Sequence, residues 1–218
     1  MNKFITIYSD THMEMYEKYF LNSYKEFLSN NFNFFPKKVK QKSKNGEICS
    51  NGFDITMLEK INWIISNIDL NDSNYLVYSD CDVQFFKGLE FDFFEKDILF
   101  QKDFYDNSYC AGFFICKQNQ KVLNFFEKVY ETFIHHMNGT IHDQDIINGL
   151  FQSGYSDLNK GFLPKEKYWT VGNSTNAQAW TGQDISVPKE IIMHHANFCI
   201  GVENKLKLLE LVKEKVNK

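Results

Sequence analysis

Two carboxylates one residue apart, in Asp80-Cys81-Asp82, are the first residues of this chain whose type and spacing could do chemistry. From an extended segment, side chains at i and i+2 project to the same side, so the two acids would repel unless a cation sat between them. Mg²⁺ and Mn²⁺ prefer oxygen ligands and bridge carboxylates to phosphate oxygens. The pattern is short and also fits a solvated turn. Its setting argues for more: Tyr75-Leu76-Val77-Tyr78 precede it and Val83-Gln84-Phe85-Phe86 follow, so water has limited access.

Other groups could join it. His142-Asp143-Gln144-Asp145 is a second acidic cluster. Asp143 or Asp145 could serve as a general base, while Asp143 also suits a helix N-cap; Asn148 lies one turn on. His194 and His195 are adjacent, and adjacent residues on a strand face opposite sides, so one of the two points at any shared site. All 24 basic residues are Lys. Arg is the usual bidentate phosphate clamp, so phosphate binding would fall to Lys, backbone N–H groups or a metal. Asp10, Thr6 and Tyr8, at the end of the first apolar run, suit a cap and core packing. Tyr168, Trp169 and Trp180 could stack on a sugar or pack a long loop.

The elements that must position these residues alternate. Phe4–Tyr8 reads as a buried strand, and Thr11 with Glu14 fits a capping box opening a helix with Met13, Tyr16, Phe20, Tyr24 and Phe27 at helical spacing. Residues 36–52 are Lys-rich and read mostly as loop. Ile55, Leu58, Ile61, Ile65 and Ile68 predict a second helix, Tyr75–Tyr78 a second strand, and Ile98–Phe100 and Gly112–Cys116 two more. Val122, Phe126, Val129 and Phe133 mark a third helix, and Asp143–Phe151 a short one. Residues 152–188 read as irregular, Ile191-Ile192-Met193 as a last strand leading into the histidines, and Leu206, Leu209 and Val212 as a terminal helix. Alternating strands and helices imply an α/β fold, a single domain over 1–218 with a mostly parallel central sheet flanked by helices. Ligands of such sheets bind beyond the carboxyl ends of the strands, where Asp10, Asp80 and the histidine pair are expected.

Composition narrows the class. With 43% hydrophobic and 17% aromatic residues the chain is globular. A net charge of −4 without a long basic run excludes a nucleic-acid footprint. Cys49, Cys81, Cys110, Cys116 and Cys199 form no C-x-x-C pair and are odd in number, which reads as reduced thiols and argues against a cysteine zinc site. The N-terminus enters a strand without a signal-peptide apolar region, and no apolar run is long enough to span a bilayer. The expectation is a soluble cytoplasmic protein, in its own or a host cell.

The run YLVYSDCDVQFF resembles the D-x-D segment of GT-A-fold glycosyltransferases, within the nucleotide-diphospho-sugar transferase group that includes compact viral enzymes. Other segments agree in order. Tyr8-Ser9-Asp10 falls where that fold seats the base and ribose, and Cys110-Ala111-Gly112-Phe113-Phe114 resembles the small-residue strand lining the sugar pocket. Asp143-Gln144 resembles the family's Asp-Gln step near the acceptor. His194-His195-Ala196-Asn197, Gly201 and Lys205 resemble its late His…Gly…Lys element, whose spacing favours His195 over His194.

The resemblance implies a Rossmann-like GT-A domain. It implies Mn²⁺ or Mg²⁺ on Asp80, Asp82 and His195, with the donor held by Thr6, Tyr8, Asp10, Lys60, Asp80, Gly201 and Lys205; Lys207 is the alternative phosphate binder to Lys205. The implied reaction moves a sugar from a UDP-sugar, or a GDP-sugar, to a glycan or glycoprotein hydroxyl. Asp143 or Asp145 is the base if the product inverts; a retaining enzyme would use the donor phosphate. A nucleotidyltransferase would show a Gly-rich basic loop after the first strand, where this chain has Ser9-Asp10-Thr11-His12. A sugar-binding domain without activity is the non-enzymatic alternative.

Overall fold

Phe4, Ile5, Thr6 and Ile7 are buried in succession, the continuous run expected of a strand covered on both faces. They belong to β1 (Asn2–Tyr8), seen in a computed structural model that describes residues 1–43, 52–92, 95–103, 108–137, 141–176 and 178–217. The remaining strands are β2 (Phe32–Lys38), β3 (Tyr75–Asp80), β4 (Val83–Phe85), β5 (Ile98–Lys102), β6 (Tyr109–Lys117), β7 (Lys160–Phe162), β8 (Tyr168–Thr170) and β9 (Met193–His195). They form a six-stranded sheet in the order β2-β1-β3-β6-β5-β7 and a three-stranded sheet in the order β4-β9-β8. In the large sheet only β6 runs against its neighbours, pairing antiparallel with β3 and β5. The expected mostly parallel α/β sheet is what the chain builds.

A 3-10 turn (Asp10–His12), α1 (Met13–Met15), a π-helical turn (Tyr16–Leu21) and α2 (Asn22–Phe27) follow β1 as one helical path. The other helices are α3 (Phe53–Asn67), α4 (Gln120–His136), α5 (Asp143–Gln152), α6 (Gly172–Thr175) and α7 (Val202–Val216). Helices α3, α4 and α5 cover one face of the large sheet, through Ile61, Ile64, Val122, Phe126 and Ile146 on Ile5, Tyr78 and Phe114. On the other face, Phe4, Val77 and Phe113 meet Tyr16, Phe20 and Tyr24 together with Phe85 and Met193 of the small sheet. Helix α7 packs Leu208, Leu209 and Val212 against Trp169 and Ile191.

The structure corrects several expectations. Part of the Lys-rich stretch is the edge strand β2, and Pro36 is tolerated there because an edge strand can lack one ladder donor. Thr11 does not cap the first helix: it lies inside the 3-10 turn and donates its hydroxyl to Gln41 Oε1 at 2.8 Å. The wider π turn rotates the buried stripe, bringing in Met15, Tyr19 and Leu28 and leaving Phe27 half-buried. The irregular 152–188 stretch contains β7, β8 and α6. The last strand begins at Met193, so the histidines lie within it rather than after it.

Candidate active site

The carboxyl ends of β1, β3 and β5 and the amino end of β6 open on one edge, around a cavity of about 430 Å³. Asp80 is the last residue of β3, and Asp82 follows in the turn to β4. That turn is tied to a distant stretch. Val83 pairs with His195 across the β4–β9 ladder, and the Ala196 N–H donates to the Asp82 carbonyl at 2.9 Å. Side-chain oxygens of Asp80 and Asp82 and a ring nitrogen of His195 thereby lie within 4.8 Å of one another.

Strand alternation separates the two histidines as expected. His195 turns to the cavity, with Nε2 3.2 Å from Asp82 Oδ1. His194 turns away, its Nδ1 3.2 Å from Gln84 Nε2 and its ring beside Trp169. Gly112 leaves room for this arrangement: a Cβ there would fall 2.3 Å from His195 Cε1 and 2.8 Å from Asp80 Oδ2.

Cations surround the acids. Lys205 Nζ is 2.6 Å from Asp82 Oδ2, delivered by α7, whose N-cap Gly201 takes φ of 85°, a conformation costly for any residue with a Cβ. Lys60 of α3 is buried between Asp80 Oδ1 at 3.1 Å and Asp143 Oδ2 at 2.8 Å. Tyr78 adds a hydroxyl donor to Asp80 Oδ1 at 2.5 Å.

Burial alone would push the Asp82 carboxyl up, but Lys205 and His195 outweigh it and hold the group well below the ordinary carboxylate range. Burial disfavours charge on His195 too; the Asp82 carboxylate prevails and lifts it to about 10. Lys60 and Lys205 are likewise held above the ordinary lysine range by their acid partners, against burial. Burial pushes the Cys81 thiol far up, so it stays protonated between the two acids.

A divalent cation fits these residues. Two carboxylates and an imidazole converge on one point, and the Cβ-free backbone of Gly112 abuts it. Asp80, Asp82 and His195 could hold the ion, with the Lys205 ammonium beside it.

The other residues singled out in the sequence divide. Tyr8, Lys60, Asp143 and Asp145 line the cavity with Asp80, Asp82, His195 and Lys205. Asp145 Oδ2 accepts from the His142 N–H at 3.1 Å, closing a capping box at the start of α5. Thr6, Asp10 and Gly201 do not line it. Thr6 is fully buried in β1, Asp10 pairs with Lys38 at 2.6 Å, and Gly201 acts through the turn into α7. Asn148 spends its amide on Tyr109 and on the Gln144 carbonyl, and Lys207 pairs with Glu203. Tyr168, Trp169 and Trp180 are buried, so they pack the fold rather than offer a face to a sugar. Cys81, Cys110, Cys116 and Cys199 are buried free thiols, and Cys49 lies outside the described residues.

The structure adds His12 and Gln101 to the picture. His12 lines the cavity, and its Nδ1 is 3.0 Å from Thr11 Oγ1; burial and the nearby Lys205 lower its pKa. Gln144 bridges Asp103 Oδ2 at 2.7 Å and the Ala111 N–H at 3.2 Å. A polar residue closing the apolar run Ile98-Leu99-Phe100 was the one available sequence signal for Gln101. Among the described residues no helix is long and apolar enough to cross a membrane.

No curated protein matches the chain by sequence. Solved structures do match its fold. A glycosyltransferase involved in glycosylating the major capsid of PBCV-1 aligns at a TM-score of 0.67 and 11% identity, over 96% of this chain and 98% of that one. The galactosyltransferase LgtC, solved with donor and acceptor sugar analogs, aligns at 0.59 and 12%, over 96% and 95%. The glycosyltransferase GlyE of Streptococcus pneumoniae TIGR4 aligns at 0.61 and 14%, over 98% of this chain and 64% of its own. At such identities the likeness establishes a shared fold, that of GT-A glycosyltransferases. The profile of one family, the nucleotide-diphospho-sugar transferases, matches residues 18–209, from the π-helical turn to the last helix. On that match, carried over most of its length, the chain belongs to the nucleotide-diphospho-sugar transferase family and is a glycosyltransferase.

Proposed function

We propose that the chain moves a sugar from a nucleoside-diphosphate sugar, UDP-linked in preference to GDP-linked, onto a hydroxyl of a glycan or glycoprotein. Mn²⁺ or Mg²⁺ would be held by Asp80, Asp82 and His195. The observation that carries this reading is the convergence of those three side chains within 4.8 Å, with the Lys205 ammonium 2.6 Å from Asp82. A nucleoside diphosphate is a leaving group that gathers negative charge, and a chain with no Arg has few other ways to meet it. When bound, such an ion neutralises the charge developing on the departing phosphate.

The residues around it then take distinct roles. Lys205 exchanges its contact with Asp82 for one with the diphosphate. Lys60 fixes Asp80 and Asp143 through its two ion pairs, which leaves Asp143 a positioning residue. Asp145 is the more exposed of the two acids of α5 and is the base if the product inverts. Tyr8, stacked on Tyr16 at 3.8 Å between ring centroids, offers the base an aromatic wall. A glycan or glycoprotein acceptor is in keeping with the capsid glycosylation in which the viral neighbour is involved. The proposed setting is the cytoplasm, where the four described thiols would stay reduced.

The test is release of nucleoside diphosphate from UDP- and GDP-sugars, with and without Mn²⁺. Metal-dependent release from one donor is the expected result. No metal-dependent release from any sugar donor would sink the reading.

A further inference from the structure

Gln101 sits just past an irregularity in the large sheet. Phe100 of β5 pairs with Phe114 of β6, yet the next residue, Gln101, pairs with Cys110, so Ala111, Gly112 and Phe113 have no partner on β5. Such bulges re-aim side chains and are common beside active sites. Here one irregularity serves both flanks of the imidazole. It sets the Gly112 backbone against His195 and sends the Gln101 side chain to the opposite nitrogen.

The orientation of the Gln101 amide follows from its neighbours. Gln101 is fully buried, and its Nε2 faces two backbone carbonyls, Tyr168 at 3.4 Å and Trp169 at 3.3 Å. Carbonyls only accept, so the amide nitrogen belongs on that side and Oε1 on the other. Oε1 lies 2.8 Å from His195 Nδ1. An amide oxygen also only accepts, so Nδ1 carries the hydrogen. The remaining nitrogen, Nε2, faces Asp82 and the point where the three candidate ligands converge. Histidine ligands need their second N–H held in this way to fix ring orientation and tautomer.

We propose that Gln101 is the positioning residue that keeps His195 in its ligand-competent orientation, holding the hydrogen on Nδ1 so that Nε2 is the nitrogen that gives up its proton to solvent and takes a divalent cation. The inference rests on the metal reading of the site. Its anchor to Tyr168 and Trp169 also ties β5 to β8, the strand beside the one carrying His195. The histidine is thus located from both sheets.

Two variants separate positioning from simple bracing, with Mn²⁺ alone as the probe, followed by electron paramagnetic resonance. Gln101→Met keeps bulk and loses the acceptor; its Mn²⁺ dissociation constant should rise about 10–100-fold. Gln101→Glu keeps an acceptor for the Nδ1 hydrogen and loses the donors to the two carbonyls. It should bind Mn²⁺ at least as tightly as the wild type even where its melting temperature falls further than that of the Met variant. A bracing role alone predicts the reverse order, with affinity following stability. A folded Met variant within about twofold of wild-type affinity overturns the proposal. If the Met variant does not fold, weakened Mn²⁺ binding in the Glu variant overturns it. Should the wild type itself bind no Mn²⁺, the metal reading falls together with this one; wild-type binding with an unaffected Met variant removes this one alone.

Discussion

Gly112 and His195 are so close that a single added methyl on the glycine would stand 2.3 Å from the imidazole Cε1. Because Asp80 Oδ2 would lie 2.8 Å from the same methyl, the substitution strikes two candidate ligands at once. Gly112→Ala should cost about 1–3 kcal/mol of stability, the usual range for overpacking. Mn²⁺ binding and transferase activity should fall far more than that loss accounts for. Calorimetric titration with Mn²⁺ beside chemical denaturation checks the disproportion.

Asp82 is the buried counter-charge of both Lys205 and His195. Asp82→Asn removes a ligand and leaves two cations facing each other. Metal-dependent nucleotide binding and activity should be lost, and the metal-free protein should be destabilised by about 3–5 kcal/mol, as when one partner of a buried pair is removed. Thermal-shift measurements with UDP, GDP and CMP, with and without Mn²⁺, report both effects; full activity in the variant would mean that the metal is held elsewhere.

Lys205 competes with any cation for Asp82, from 2.6 Å away. Lys205→Ala should therefore move two affinities in opposite directions. Mn²⁺ alone should bind more tightly, because Asp82 loses its competitor. The nucleotide with Mn²⁺ should bind more weakly, because a phosphate contact is gone. Equal changes in both would assign Lys205 a structural task only.

Lys60 is enclosed by Asp80 and Asp143 at salt-bridge distance. Lys60→Met strands two carboxylates and should cost about 3–5 kcal/mol. Adding Asp143→Asn should return part of that loss, since the double variant buries one fewer unpaired charge. Urea denaturation of the four members of the cycle gives the coupling.

Acid stability should report His194, whose pKa burial lowers from 6.5 to about 3, with the charge of His195 adding to the effect. Both states are neutral there above pH 6.5. As the pH falls below that value the unfolded chain takes up a proton that the folded one refuses, so stability declines until about pH 3. The slope contributed by this group approaches about 1.4 kcal/mol per pH unit. His194→Gln should flatten the decline between pH 6 and 4, read as unfolding free energy against pH with roughly one proton fewer in the linkage.

Much of this arrangement is written locally. The alternation of strands and helices, the burial of Phe4–Ile7 and the end of β3 at the acid pair follow from short-range pattern, because burial and period are properties of neighbouring residues. Alternation also dictates that only one of His194 and His195 could serve the site. Edge strand β2 was harder to read, since only Phe32 within it is buried and lysines hide its alternation. The burial of Trp169 and Trp180 was not legible at all: a large aromatic suits a packed loop as well as a sugar platform.

What only the tertiary structure decided is which distant residues meet. Register across β4 and β9 brings His195 to Asp82, and the reversed strand β6 places Gly112 against both acid and imidazole. A bulge hands Gln101 to the far side of the ring. Such relations depend on strand order and register, which are set by the packing of the whole chain. The sequence by itself determined that two acids end a buried strand and that phosphate would have to be held without arginine, and its motifs pointed to the histidine, the lysines and the glycine; the fold determined how these meet around the acids.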